Sequence, residues 1–190
     1  MIKLTTLLTR ISTLLTGTGL GTITGVLASP ASVLHGKRTP LDYEQILSTV
    51  LSQIEIAGLV LRNYRAGAVL GITVQTEARV VVDLINTSSE QVATLDPISY
   101  LDAMSLVSPI TSLTDEVGVL TNELIAAKPN FTTDELKGEV LSTLYDFRDA
   151  GERLRDAITA KTPAALRGVA NPLADRVVAD VQRTIDAYSD

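Results

Sequence analysis

From Leu41 onward, apolar residues recur in steps of three and four along most of the chain. The clearest stretch is Leu101–Tyr188, which carries three long stripes. The first is Val107, Ile110, Leu113, Val117, Leu120 and Leu124. The second is Leu136, Val140, Leu144, Phe147, Gly151, Leu154 and Ile158. The third is Leu166, Val169, Leu173, Val177, Val181, Ile185 and Tyr188. Such spacing places each set on one face of a helix. The stripes are interrupted at Lys128-Pro129-Asn130 and Lys161-Thr162-Pro163.

Upstream, Tyr43, Ile46, Leu47, Val50, Ile54, Ala57, Leu61 and Tyr64 predict a helix over Leu41–Arg65. Thr39-Pro40 supplies its cap and first position, and Gly67 and Gly71 mark the break after it. Val74, Ala78, Val81, Val82 and Ile85 predict a second helix over Ile72–Asn86, followed by a polar loop at Asn86–Glu90. Pro109 should divide the next helical region into a short helix near Ile98–Val107 and a longer one ending at Lys128. Thr132-Thr133-Asp134-Glu135 reads as a fresh start, with a helix from about Thr133 to Lys161. Thr162-Pro163 then caps a last helix to Tyr188, bent at Pro172. The expected fold is all-α: a helical bundle of about five amphipathic helices, mostly antiparallel because the connections are short.

Composition bears on what fills that bundle. Apolar residues make up 45% of the chain and aromatics only 4%, so the interior is mainly aliphatic. It either packs tightly or leaves an elongated cavity between the stripes.

The N-terminal region has the pattern of a leader. Lys3 and Arg10 precede a modestly apolar run, Ile11–Leu27, with a small-residue cleavage site ending at Ala28. The run is too polar and short for a transmembrane helix. His35-Gly36-Lys37-Arg38 ends in a dibasic pair of the kind cleaved by kexin-type proteases. The expected organisation is a signal peptide over 1–28, a pro-segment over 29–38 and a bundle domain over 39–190. Cleavage after Arg38 removes four cations and no acid, taking the formal charge from −6 to −10. It also removes His35, the sole histidine.

These features exclude much chemistry. The chain has no cysteine, so it has no disulfide, thiol nucleophile or thiolate metal site. Without His35 a Ser-His-Asp triad and His-based zinc sites are also excluded. The acidic balance argues against binding nucleic acid. Asp146, Asp149, Glu152 and Asp156 alternate with Arg148, Arg153 and Arg155. That alternation predicts a solvated ion-pair face rather than paired catalytic carboxylates. Two sequons, at Asn86 and Asn130, fall in predicted loops and are candidate glycan acceptors. No cofactor or metal is expected.

The run Leu101-Asp102-Ala103-Met104-Ser105-Leu106-Val107-Ser108-Pro109-Ile110, with Leu113-Thr114 and Val117 after it, resembles the fungal hydrophobic surface-binding protein A family, which includes cell-wall galactomannoproteins. Leu124-Ile125-Ala126-Ala127-Lys128 with Phe131, Ala157-Ile158, Lys161-Thr162-Pro163 and Ala187-Tyr188 extend the likeness over about Leu41–Tyr188. The resemblance implies a secreted or wall-associated helical bundle without enzymatic activity. Family members adsorb to hydrophobic surfaces and recruit esterases to them, and some domains bind fatty acids in a central tunnel. No Ser/Thr-rich tail follows Tyr188, so covalent wall attachment is not expected.

The stripes and the resemblance together lead to a secreted, non-enzymatic binder of fatty acids or other apolar ligands and surfaces, with no integral membrane span. The lining expected between the last three long helices is Val107, Ile110, Val117, Leu120, Leu144, Phe147, Leu173 and Val177. Thr114 and Thr121 are headgroup candidates. The alternatives are a surface-adsorbing adaptor that recruits a secreted esterase, and a helical enzyme inhibitor. Plant inhibitors of that type depend on disulfides, which this chain cannot form.

Overall fold

The computed structural model describes residues 40–190. The leader, its Ala28 site and the Lys37-Arg38 pair lie outside the described residues. Six α-helices follow in order: α1 Pro40–Arg65, α2 Gly71–Thr94, α3 Tyr100–Ser105, α4 Val107–Thr133, α5 Lys137–Lys161 and α6 Arg167–Ser189. A 3-10 turn, Ala164–Leu166, leads into α6.

Several boundaries depart from the sequence expectation; Thr162-Pro163, for one, closes α5 and leads into a 3-10 turn, and α6 starts only at Arg167. The polar stretch Asn86–Glu90 is not a loop; α2 continues to Thr94. Val81, Ile85, Ser88 and Val92 repeat every three or four residues and are all buried, so the helix face outweighs the polar residues around it. Helix α4 likewise runs through Pro129 to Thr133. The Thr132 and Thr133 hydroxyls donate to the Lys128 and Pro129 carbonyls, so this segment ends a helix and starts none. The stop itself is a Schellman motif. Glu135 has φ 60°. Its N–H donates to the Thr132 carbonyl at 3.2 Å, and that of Leu136 to the Phe131 carbonyl at 2.8 Å. Pro109 falls in the first turn of α4, where its missing N–H would have had no partner, and the break with α3 lies just before it at Leu106.

Consecutive long helices alternate in direction, yet each packs mainly on two others that are not always its neighbours in sequence. The order around the bundle is α1–α2–α5–α6–α4 and back to α1. End contacts give the directions. The Tyr43 hydroxyl, at the start of α1, donates to the Asp96 carbonyl beyond the end of α2, at 2.6 Å. The C-terminal ends of α1, α4 and α6 meet, since Tyr64 donates to Asp134 Oδ2 and Tyr188 to the Leu124 carbonyl, each at 2.6 Å. The starts of α2 and α5 also meet: Gly71 sits so close to Leu136 that a Cβ there would fall 2.2 Å from Leu136 Cδ1.

Five helices around one axis leave a lumen along it unless side chains fill it. One end is sealed by aromatics. Phe131 stacks on Tyr64 with ring centroids 4.6 Å apart and lies 6.4 Å from Tyr188, and Phe131 and Tyr188 are fully buried. Burial, then Asp96 and Asp42, push the Tyr43 hydroxyl up to about 12. Tyr64 is also raised, by burial first and then by its bond to Asp134, and Tyr188 by burial. By length and composition α1 is apolar enough to cross a membrane. Its stripe Tyr43, Leu47, Val50, Ile54, Ala57, Leu61 and Tyr64 is buried in the ring.

Candidate functional site

Three apolar cavities lie along the lumen. The one nearest the aromatic seal has a volume of about 70 Å³ and is lined by Leu61, Val74, Val81, Leu120, Leu124, Phe131 and Leu144, among others. The middle one measures about 110 Å³, between Val50, Ile54, Ile85, Ile110, Val117, Leu154, Val177 and Val181. The third, about 30 Å³, sits under α3 between Ile98, Ala103, Leu106, Val107, Leu166 and Leu173. Phe147 borders the first two, and Ile110, Ile158 and Ala170 border the last two. The series spans α4 from Val107 to Leu124, about 25 Å of helix axis.

The structure brings the sequence-derived lining residues together around this series. Leu120, Leu144 and Phe147 face the first cavity, Ile110, Val117, Phe147 and Val177 the second, and Val107, Ile110 and Leu173 the third. Helices α4, α5 and α6 do not make the wall alone. Leu47, Val50, Ile54, Ala57 and Leu61 of α1 and Val74, Val81 and Ile85 of α2 complete it, because the ring closes only through these two helices.

The wall surface is largely apolar. Thr121 faces the first cavity and Thr114 the second; both are buried. Each hydroxyl already donates to its own helix, Thr114 to the Ile110 carbonyl at 2.9 Å and Thr121 to the Gly118 carbonyl at 3.0 Å. Their oxygens keep lone pairs and can accept a bond from a ligand.

Polar lining residues beyond these two are Gln75, Glu77 and Thr143 at the first cavity, Arg148, Arg155 and Thr159 at the middle one and Thr162 at the third. Gln75 borders the first cavity, and its Nε2 is buried without a hydrogen-bond partner. Such an unmade bond is costly, so the amide is a ready donor to a polar atom placed in that cavity. Arg148 and Arg155 border the middle cavity. They do pair with acids, as the ion-pair face predicts, at 3.0 Å to Asp149 and 2.8 Å to Asp156. They also flank the stripe rather than oppose it. The spacing Arg148–Gly151–Arg155 shares Gly151 with the apolar set, a signal present in the sequence.

Both sequons lie in helices, not loops. Asn86 is within α2 and its Oδ1 accepts from Arg153 Nε and Nη2 at 3.1 and 2.8 Å, while Ser88 is buried. Asn130 is exposed on the last turn of α4.

Comparison with known proteins agrees with this architecture. The family model described as hydrophobic surface binding protein A matches residues 42–160. Cell wall mannoprotein 1 of Aspergillus fumigatus is 30% identical over 181 residues, covering 95% of this chain and 61% of its own length. Among solved structures, ligand binding domain 2 of the Penicillium marneffei MP1 protein, complexed with multiple arachidonic acids, superposes with a TM-score of 0.76 at 18% identity. That match covers 81% of this chain and 98% of the domain. AFMP4P in complex with palmitic acid gives a TM-score of 0.74 at 15% identity, covering 79% and 99%. These likenesses show a shared fold. With a family match over well more than half its length, and a bundle of the same architecture, the chain belongs to the hydrophobic surface binding protein A family.

Proposed function

We propose that this protein is a secreted, cell-wall or extracellular binder of long-chain fatty acids, with no catalytic role, that holds the acyl tail in the lumen of its helical ring. One observation carries the proposal: three apolar cavities strung along a single axis and joined through shared walls at Phe147 and at Ile110, Ile158 and Ala170. The MP1 domain and AFMP4P, which share the fold, hold arachidonic and palmitic acids. A saturated tail needs no directional partner. Each buried methylene contributes about 0.8 kcal/mol, so roughly ten of them match the free energy of a micromolar complex before association costs. Val107, Ile110, Val117, Leu120, Leu144, Phe147, Leu173 and Val177 form the tail's contact surface in this reading. Thr114 and Thr121 offer acceptors to a polar group along it.

Calorimetric titration of the delipidated protein with palmitic acid tests the proposal. Saturable binding that displaces a lumen-bound dye is expected. Absence of saturable binding, with no lipid co-purifying from a secreting host, would refute it.

A second reading concerns apolar surfaces. Short helix α3 buries Ala103 inward and exposes Tyr100 at 54%, Leu101 at 79% and Met104 at 49%. That outward apolar face over the end of the lumen suits contact with an oil or polymer surface. Hydrophobic beads should deplete the folded protein from solution, and Leu101→Glu with Met104→Glu should abolish the depletion. Equal depletion of the double variant would dismiss α3 as the contact.

A further inference from the structure

A fatty acid has a charged end as well as a tail, and an ionised carboxylate left unpaired in an apolar interior is prohibitively costly. Arg148 and Arg155 are the sole charged groups among the described residues lining the 110 Å³ cavity. They stand two turns apart on α5, about 10 Å along the axis, with Gly151 between them. A Cβ at Gly151 would meet nothing within 4 Å, so the helix is notched where it borders the cavity. The lining contributed by α6 is small and apolar: Ala170, Ala174, Val177, Val178 and Val181.

Both guanidiniums keep N–H donors for a further partner, Arg148 while lying over the Tyr145 ring at 5.2 Å. Arg148 gives its Nε and Nη2 to Asp149 Oδ1, and Arg155 does the same to Asp156 Oδ1. Each Arg has five N–H donors, so three remain. Asp149 and Asp156 are 51% and 69% exposed, and exposed pairs of this kind are weak and readily exchanged. The interior hydroxyl of Thr114 is already committed to the Ile110 carbonyl, so it offers a carboxylate no donor.

We propose that Arg148 and Arg155 form the carboxylate portal of the lumen. The ionised headgroup of a long-chain fatty acid docks between them at the Gly151 notch, with the tail running into the 110 Å³ cavity. The portal rests on the acyl-binding reading above and adds the site and charge state of the headgroup. The test titrates the delipidated full chain with palmitic acid and with hexadecanol, a neutral ligand of equal chain length. Arg148→Gln with Arg155→Gln should weaken palmitic acid about tenfold or more, the scale of losing charged hydrogen bonds. Hexadecanol should bind the wild type and the double variant alike, which also shows that the variant is folded. Unchanged palmitic acid affinity in a variant that still binds hexadecanol overturns the portal and leaves the lumen standing. Failure of both ligands to bind the wild-type protein overturns both.

Discussion

Truncating Phe147 to alanine removes the side chain that borders both the 70 and 110 Å³ cavities. A fully buried Phe→Ala change costs about 3–5 kcal/mol. Phe147 is partly buried against the core, so about 2–3 kcal/mol is expected for the ligand-free protein. For a domain of this size that lowers Tm by about 5–10 °C. The same change merges two compartments into one longer lumen, so the effect on binding has the opposite sign. In the wild type, affinity along a series of saturated fatty acids should rise by about fourfold per methylene and then level off when the tail reaches Phe147. In Phe147→Ala the rise should continue to longer chains. Ligand at a hundred times its Kd should then return about 2.7 kcal/mol, nearly the whole loss. Differential scanning calorimetry with and without ligand, alongside displacement titrations over the chain-length series, measures both halves. A plateau at the same chain length in both proteins, with the destabilisation present, would refute Phe147 as a partition.

Glu135→Gly should stabilise the protein by about 1 kcal/mol, read as a higher urea midpoint, because Glu135 holds a left-handed conformation at the α4–α5 turn that glycine adopts without strain. Tyr188→Phe should cost about 1–2 kcal/mol in the same assay, since the Leu124 carbonyl loses its buried donor. The contribution of these buried tyrosines to stability should be constant below pH 10, the ordinary tyrosine value, and be progressively lost as pH rises toward 12. The unfolded chain then ionises its tyrosines while Tyr43, Tyr64 and Tyr188 stay protonated in the folded state, a coupling visible by following helix content through an alkaline titration. If a secreting host glycosylates the chain, Asn130→Gln should remove the glycan mass and Asn86→Gln should leave it, because Asn86 is held by Arg153 and its Ser88 is buried.

The helices themselves were largely legible. The stripes of α1 and α5 are faces that pack inward, as is that of α6 from Leu173 to Tyr188, whereas Val169 at its start is exposed; the division of α3 from α4 beside Pro109 follows from proline's missing donor. The misplaced ends share a cause. At Asn86–Glu90 and Lys128–Thr133 local polarity and a proline suggested breaks, but Ser88, Val92 and Phe131 face the core and tertiary packing carries the helices through. The lining residues were legible for the same reason as the helices, because the inward stripe is the wall. What no single stripe contains is its partners. The ring order, in which α4 and α5 are joined by a short turn yet pack mainly on other helices, sets α1 and α2 into the wall. Gln75, Arg148 and Arg155 were obscured because polar residues at the edge of a stripe look solvent-facing until the neighbouring helix is in place.

An acyl chain held inside the ring of helices would be directly visible. A crystal structure of the delipidated protein soaked with a fatty acid brominated along its tail tests for it most directly. Anomalous bromine density is expected inside the ring, between α1, α2, α4, α5 and α6 and beside Phe147. Bromine confined to the outer face of the bundle, with Phe147 and its neighbours closed on one another, would contradict it.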